Sequence, residues 1–227
     1  MKILRPTHAY VAGIFFPIGL PTKGGTCQYS SKECLKNCCM LDVNYDECIN
    51  VTEKEKKDIY KYFIGNPTLN VACEVAVEMG ELQAKVLNWF VSGDCLDEDV
   101  DAIYEVMLLL HKADIVQTGF TRNAKLYKKV LRSRTFQSLV LTVESKSVKD
   151  TPVDYYFHEN RGLWAIPDYD KKVTQLYHGR LAYTSYGGCG SSSVTHKFDG
   201  KEVEIAPNCY GCYKRKIGCF FDPKVRQ

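Results

Sequence analysis

The 227-residue chain contains no apolar run close to the roughly 20 residues that a membrane span requires. Its opening segment, residues 1–21, is interrupted by Pro6, His8, Gly13 and Pro17, and no small-residue cleavage site follows, so it does not match a secretory signal. The net charge is only +3, which does not by itself indicate a nucleic-acid partner. We therefore expect a cytoplasmic protein without a membrane partner.

Several common functional motifs are also missing. The glycines at 187–190 are not followed by Gly-Lys-Ser/Thr, so they do not form a P-loop. There is no dinucleotide-binding glycine fingerprint, no serine in a nucleophile elbow, no repeat and no low-complexity segment. Hydrophobic residues make up 45% of the chain and charged residues 25%, which is typical of a globular protein.

Cysteine, in contrast, is abundant, with 11 residues in clusters. In a reducing compartment, clustered cysteines are more often metal or cofactor ligands than disulfides. Cys27, Cys34 and Cys38 follow an x6, x3 spacing. This favours an iron–sulfur cluster over zinc, because a zinc knuckle usually begins with two cysteines two to four positions apart. Cys39 directly follows Cys38, so its side chain diverges and we do not expect it to bind the same site.

A second group of cysteines lies near the C-terminus. Its members are Cys189, Cys209, Cys212 and Cys219. The Cys209-x2-Cys212 pair is a strong chelating arrangement, because a tight turn brings both sulfurs onto one ion. The four thiols could form a closed zinc site, hold a second cluster, or complete a cluster shared with the first group.

Strand and helix patterns alternate through the middle of the chain. Thr52, with Glu55 three positions later, predicts the start of a helix. The predicted elements are a strand in 9–20, helices in 51–66 and 69–86, a strand in 86–94, a helix in 97–113, a strand in 114–123, a helix in 123–133, and strands in 136–145 and 162–169. A strand pair is predicted around Asp199-Gly200. The alternation predicts an α/β fold with parallel strands, in an open sheet or a barrel.

Polar residues follow the predicted strands, where parallel α/β proteins bind their ligands. The predicted catalytic residues are Asp94, Arg122 and Glu144, and the predicted cofactor-binding residues are Ser92, Gly93 and Thr121. Arg122 could hold a carboxylate or phosphate, and Asp94 or Glu144 could act as a base or bind an amine. In the alternative interpretation, Asp94 caps the next helix and Arg122 pairs with Glu144.

Together these features resemble the phage-encoded "gene product 88" proteins, which are similar in outline to radical S-adenosylmethionine enzymes. The motifs that carry the resemblance are Thr26-Cys27 with Cys34 and Cys38, Ser92-Gly93-Asp94, Thr121-Arg122, and Cys209-x2-Cys212. The resemblance implies a partial (β/α) barrel over 1–188 with an N-terminal cysteine loop. A cysteine-rich metal-binding extension, 189–227, would pack on it. It also implies one or two [4Fe–4S] clusters and, for a viral protein, the host cytoplasm.

The cysteine spacing differs from the Cys-x3-Cys-x2-Cys loop of radical S-adenosylmethionine enzymes. The observed spacing is therefore equally consistent with two arrangements. In one, S-adenosylmethionine binds an open iron of the cluster, and in the other the cluster has a different fourth ligand. One predicted function is a redox or radical-type iron–sulfur enzyme, with an electron donor and an unidentified small-molecule or macromolecular substrate. The other is a binding or structural protein braced by clusters or zinc, whose basic tail, 213–227, would contact nucleic acid or a protein partner.

Overall fold

The computed structural model describes residues 1–8, 10–36, 38, 51–133, 139–142, 163–167, 182–184, 194–198 and 201–205. The chain divides into two compact units, Met1–Leu139 and Val140–Gln227. The predicted boundary between residues 188 and 189 lies outside the described residues. Five predicted site residues also lie outside them: Glu144, Cys189, Cys209, Cys212 and Cys219.

Four strands form the sheet of the first unit. They are β1 (Leu4–His8), β2 (Val11–Phe15), β3 (Val86–Ser92) and β4 (Val116–Thr121). The β1–β2 pair is antiparallel, whereas β2–β3 and β3–β4 are parallel. The described part of this unit is therefore a mixed α/β fold on an open four-stranded sheet, and the predicted parallel order is confirmed for β2, β3 and β4.

Helices connect these strands. They are α1 (Lys32–Lys36), α2 (Glu53–Gly65), α3 (Thr68–Glu81), α4 (Val100–Lys112) and α5 (Ala124–Ser133). The predicted capping box of α2 is confirmed, since the Glu55 amide donates to Thr52 Oγ1 at 3.2 Å and the Thr52 amide donates to Glu55 Oε2 at 2.8 Å. Within the described residues, each helix is too short or too polar to pass through a bilayer.

Two features of the first unit differ from the sequence prediction. Strand β1 was not predicted, because Arg5 and Pro6 interrupt its apolar pattern. The helix predicted in 69–86 ends at Glu81, since Gln83 adopts a left-handed conformation with φ +50° that no helix can continue. The four residues between Glu81 and Val86 bring the chain back to the start of β3.

Aromatic side chains fill the core beside the end of β2. The Phe16 ring packs edge-on against Tyr60 and Phe63 of α2, with ring centroids 4.8 and 5.3 Å apart. Phe63 in turn packs edge-on against Trp89 of β3 at 5.7 Å. The Trp89 indole donates to Gln117 Oε1 at 2.8 Å, which satisfies its buried N–H within β4. These contacts fix α2 against the ends of β2 and β3.

A bulge in β3 changes its register relative to β2. Gly13 pairs with Asn88 and Phe15 pairs with Ser92, so β2 advances two residues (13 to 15) while β3 advances four (88 to 92). Within this bulge Phe90 has φ +56°, an unfavourable conformation for a bulky residue. The bulge aligns the end of β3 with the residue that follows β2.

The second unit contains five described strands. They are β5 (Leu139–Thr142), β6 (Leu163–Pro167), β7 (Ala182–Thr184), β8 (Val194–Phe198) and β9 (Lys201–Ile205). The β5–β6 and β6–β7 pairs are parallel, and β8–β9 is an antiparallel pair. The predicted strands in 136–145 and 162–169 and the strand pair around Asp199-Gly200 are confirmed, whereas β7 was not predicted.

Glu78 offers a test of how the N-terminal strand is held. This side chain is 6% exposed on α3, and its carboxylate accepts hydrogen bonds from the Ile3 amide at 2.9 Å and the Leu4 amide at 2.7 Å. Glu78→Gln replaces one acceptor oxygen with an NH2 group, so it should lower the free energy of unfolding by about 1–3 kcal/mol in urea titrations. Glu74→Gln, at an exposed position of the same helix, should change it by less than about 0.5 kcal/mol. Equal effects of the two substitutions would contradict this role.

Candidate functional site

The loop that follows β2 returns Cys27 to the strand end. The Thr26 amide donates to the Pro17 carbonyl at 3.0 Å, and the Cys27 amide donates to the Gly19 carbonyl at 2.9 Å. A Cβ atom at Gly25 would lie 2.2 Å from the Gly19 oxygen, so this close approach of two backbone segments requires glycine. Gly25 therefore allows the cysteine loop, residues 16–38, to fold back on itself.

Thr26 connects the cysteine loop to β3. Its buried hydroxyl donates to the Pro17 carbonyl at 2.9 Å and accepts from the Asp94 amide at 2.9 Å. Gly93, directly before Asp94, has φ +71°. A Cβ atom at this position would lie 2.7 Å from both the Phe16 carbonyl and Thr26 Oγ1. Glycine is therefore required at 93, because the loop passes directly over it.

The carboxylate of Asp94 joins the ends of β3 and β4. Oδ1 accepts from Thr121 Oγ1 at 2.7 Å and from the Cys95 amide at 2.8 Å, and Oδ2 accepts from the Arg122 amide at 2.7 Å. Burial raises the pKa of Asp94 to about 6, although these hydrogen bonds and the Arg122 charge act in the opposite direction. Asp94 is thus a buried carboxyl group that titrates not far below neutral pH.

Three predicted metal ligands, Cys27, Cys34 and Cys38, are half-buried thiols. Burial is the main cause that raises the pKa of Cys27 to about 12, and the negative charges of Asp94, Cys38 and Cys34 raise it further. Asp94, Cys38 and Cys34 are thus close enough to Cys27 to act on it electrostatically. In the described part of the chain, no three or more His, Cys, Asp or Glu side chains are arranged to hold a metal ion as they stand.

Local sequence accounts for the position of Cys34. Ser31 precedes α1, and its hydroxyl accepts a hydrogen bond from the Cys34 amide at 3.0 Å. The Ser31 carbonyl also accepts from the Leu35 amide at 3.1 Å. Ser31 therefore caps the short helix that carries Cys34, as serine commonly does at a helix start.

The remaining predicted site residues make internal contacts. Ser92 Oγ donates to the Phe16 carbonyl at 2.9 Å, and the Thr121 hydroxyl donates to Asp94 as described above. The helix that follows Asp94 is α4, and its N-cap residue is Asp99, whereas the Asp94 carboxylate binds Thr121 and the amides of Cys95 and Arg122. Asn123 caps the later helix α5, since its Oδ1 accepts from the Leu126 amide at 3.0 Å. The predicted helix cap at Asp94 is therefore wrong, whereas the alternative pairing of Arg122 with Glu144 involves a residue outside the described part of the chain. The cap at Asn123 could have been found from its position directly before α5.

The roles of Thr26 and Asn123 as connectors were not predicted. Asn123 Nδ2 donates to the Cys95 carbonyl at 2.9 Å, so the residue after Arg122 binds the residue after Asp94. Thr26 and Asp94 are 68 residues apart in sequence, and Asn123 and Cys95 are 28 apart. Contacts between polar loop residues at such separations leave no local periodic signal.

Thr26 can be tested by a pair of substitutions. Thr26→Val keeps the shape of the side chain but leaves the buried Asp94 amide without its acceptor, which should lower the free energy of unfolding by about 1–3 kcal/mol. Thr26→Ser keeps the hydroxyl and should cost clearly less. Urea unfolding of both variants checks this, and a Ser variant as unstable as the Val variant would show that the methyl group matters rather than the hydroxyl.

Asp94 should give the protein a distinctive pH dependence. Its folded-state pKa of about 6 lies above the ordinary value of 3.8, so as the pH rises the unfolded chain loses this proton first. The Asp94 contribution to the free energy of unfolding should therefore fall by about 3 kcal/mol between about pH 4 and pH 6 and stay constant above that range.

The measurement compares urea unfolding of the wild-type protein and Asp94→Asn across this pH range without added metal. The difference between the two should change with pH in the direction given. Asp58→Asn, at an exposed position of α2, is the matched control and should follow the wild-type profile. A wild-type minus Asp94→Asn difference that is flat or rises with pH would contradict the assignment.

The cysteine loop and the ends of β3 and β4 thus form one connected arrangement, which we call the strand-end site. It comprises Thr26, Cys27, Cys34, Cys38, Ser92, Gly93, Asp94, Thr121 and Arg122. Every interaction described for it lies within the first unit. No protein-family model matches this chain, and neither the curated proteins nor the solved structures include a match to it.

Proposed function

We propose that this chain is an iron–sulfur protein that carries out redox or radical-type chemistry at its strand-end site. The observation that carries the proposal is the position of the loop with Cys27, Cys34 and Cys38, which Thr26 joins to Asp94 at the carboxyl ends of parallel strands. Ligand sites of parallel α/β proteins occur at this edge of the sheet. The arrangement therefore combines soft metal ligands with the usual position of a substrate pocket.

The chemistry of the donors fits an iron–sulfur cluster. Thiolates are the usual ligands of such clusters, and Cys27, Cys34 and Cys38 would supply three of them. Binding would require the three thiols to lose their protons and draw together, as metal binding generally does. A bound [4Fe–4S] cluster would supply one-electron transfer to a molecule held beside it. A cytoplasmic location, predicted from the sequence, would keep the thiols reduced before loading.

The fold that we propose is the partial (β/α) barrel of radical S-adenosylmethionine-like enzymes, as in the gene product 88 resemblance. Its support is the parallel pairing of β2, β3 and β4 in the first unit and of β5, β6 and β7 in the second. In this proposal the C-terminal cysteines, from Cys189 to Cys219, supply a fourth ligand or hold a separate cluster or zinc ion.

Arg122 and Asp94 suit a ligand that carries both charges. The guanidinium of Arg122 would bind a carboxylate or phosphate, and the carboxylate of Asp94 would bind an amine or accept a proton. S-Adenosylmethionine has such an amine and carboxylate, so we propose it as one ligand to test. In the same proposal an electron donor reduces the cluster.

One observation favours a second candidate, a binding or structural protein braced by the metal. The hydroxyl groups of Ser92 and Thr121 and both oxygens of Asp94 already take part in hydrogen bonds within the protein. Such a satisfied network needs no substrate to complete it. In this case every iron or zinc ion would have four protein ligands.

The deciding experiment is metal analysis of protein purified without oxygen. We expect about four irons and about four sulfides per cluster, with a brown colour. Cys34→Ser should lose most of the iron and the colour, because it removes one ligand of the cysteine loop. Cys73→Ser, at an exposed position on α3, should keep both. Protein that contains zinc alone, or neither iron nor sulfide, would exclude the proposed enzyme.

Titration of the reduced protein with S-adenosylmethionine then separates the two candidates. A change in the electron paramagnetic resonance spectrum of the cluster would indicate an open iron and favour the enzyme. An unchanged spectrum with a full set of protein ligands would favour the structural role.

A further inference from the structure

A single residue beyond the strand-end site, Asp97, contacts the loops on both sides of it. Its carboxylate accepts from the Tyr29 hydroxyl at 2.6 Å and from Asn123 Nδ2 at 3.1 Å. Its amide donates to Gln28 Oε1 at 3.0 Å, and its carbonyl accepts from Lys125 Nζ at 2.7 Å. All the polar groups of this residue are thus used to join three segments of the chain.

These contacts lie next to the residues of the strand-end site. Gln28 and Tyr29 directly follow Cys27, Asn123 directly follows Arg122, and Asp97 itself lies three positions after Asp94. Contacts with Asp97 therefore link the cysteine loop, the segment after β3 and the segment after β4. Movement of any one of these segments would be transmitted to the other two.

Cys27 is anchored on both sides by this arrangement. On its N-terminal side, Thr26 Oγ1 accepts from the Asp94 amide. On its C-terminal side, Gln28 and Tyr29 bind Asp97. The Thr26 anchor is buried, whereas Tyr29 is 45% exposed, so the second anchor lies at the edge of the solvent and is the easier one to release.

We infer that Asp97 is a positioning residue that holds the cysteine loop against the two strand-end segments. Its importance for cluster binding rests on the proposed function, but its effect on the loop does not. Loss of the Asp97 anchor should open the loop from Gln28 towards Cys34 and Cys38, while the Thr26 anchor keeps the end of β3 in place.

Neighbouring acidic residues make different contacts and provide a control. Asp99 accepts from the Tyr60 hydroxyl of α2, and Asp101 pairs with Lys129 of α5. Asp101→Asn therefore removes a carboxylate four positions away without touching a described contact of the cysteine loop. It separates the specific effect of Asp97 from a general loss of acidic charge.

The cysteines of the chain allow the loop to be followed residue by residue. Iodoacetamide labelling of the full-length, reduced, metal-free protein, resolved by mass spectrometry, gives a rate for each thiol. Cys27, Cys34 and Cys38 report on the loop, whereas exposed Cys73 on α3 is an internal reference for intrinsic reactivity. Urea unfolding of the same variants, followed by circular dichroism, reports global unfolding.

We expect Asp97→Ala to raise the labelling rates of Cys34 and Cys38 about tenfold, the change expected when a hydrogen-bonded anchor to a charged group is lost from a local opening equilibrium. Tyr29→Phe removes a single hydroxyl at the surface and should raise the same rates by a smaller factor. Asp101→Asn should label like the wild type. In all three variants the rate of Cys73 should stay unchanged, and the cooperative urea transition should be retained.

Unchanged loop rates in both Asp97→Ala and Tyr29→Phe would overturn the inference. Loss of the cooperative urea transition in both would also overturn it, because Asp97 would then stabilise the whole unit rather than the loop. Since the labelling uses metal-free protein, it can succeed even when iron analysis rejects the proposed function, and the two failures are distinguishable.

Discussion

The strand-end site depends on the buried carboxylate of Asp94. A carboxylate removed from water is unfavourable unless donors replace its hydration, and here Thr121 and the backbone amides of Cys95 and Arg122 do so. The same residue binds Thr26 through its own amide, so one position joins β3, β4 and the cysteine loop. Its pKa of about 6 is the balance between burial, which favours the neutral acid, and these donors, which favour the anion.

Backbone geometry near Asp94 follows from this convergence. Gly93 at φ +71° lets the loop pass within contact distance of the strand end, and no side chain fits there. Three positions earlier, Phe90 at φ +56° absorbs the two additional residues of the β3 bulge. Unfavourable backbone conformations of this kind persist only where surrounding contacts hold them, and they concentrate near functional sites. The bulge and the glycine together allow Ser92 and Asp94 to face the cysteine loop.

Much of this arrangement could be predicted from local patterns. The Thr52–Glu55 box defined the start of α2, and the parallel order placed the residues after β3 and β4 at one edge, where Asp94 and Arg122 do meet. Strand β1 could not be predicted, because Arg5 and Pro6 obscure its pattern and Glu78, 74 or more residues away, holds its backbone.

Connecting residues were the hardest part of the site to predict. Thr26 and Asp97 look like ordinary polar loop residues in the sequence. Thr26 binds Asp94, 68 positions away, and Asp97 binds Gln28, 69 positions away. Nothing in the neighbouring sequence indicates which of the many polar loop residues will be buried or will bind two segments of the chain at once. Only the folded sheet, by bringing β2 next to β3, decides that Thr26 meets Asp94 and that Asp97 meets the cysteine loop.

The electrostatics of Cys27 separate two kinds of cysteine chemistry. Nucleophilic cysteines have a lowered pKa, because a positive charge or a helix N-terminus stabilises their thiolate. Cys27 has the opposite environment, since burial and the negative charges of Asp94, Cys38 and Cys34 all raise its pKa. An isolated thiolate is therefore unfavourable here, and thiol catalysis is poorly supported. A bound metal centre would favour the Cys27 thiolate, because its positive charge attracts the negative charges that now disfavour it. The raised pKa of Cys27 thus argues against a reactive thiol, and a metal centre at this site would have to displace the thiol proton on binding.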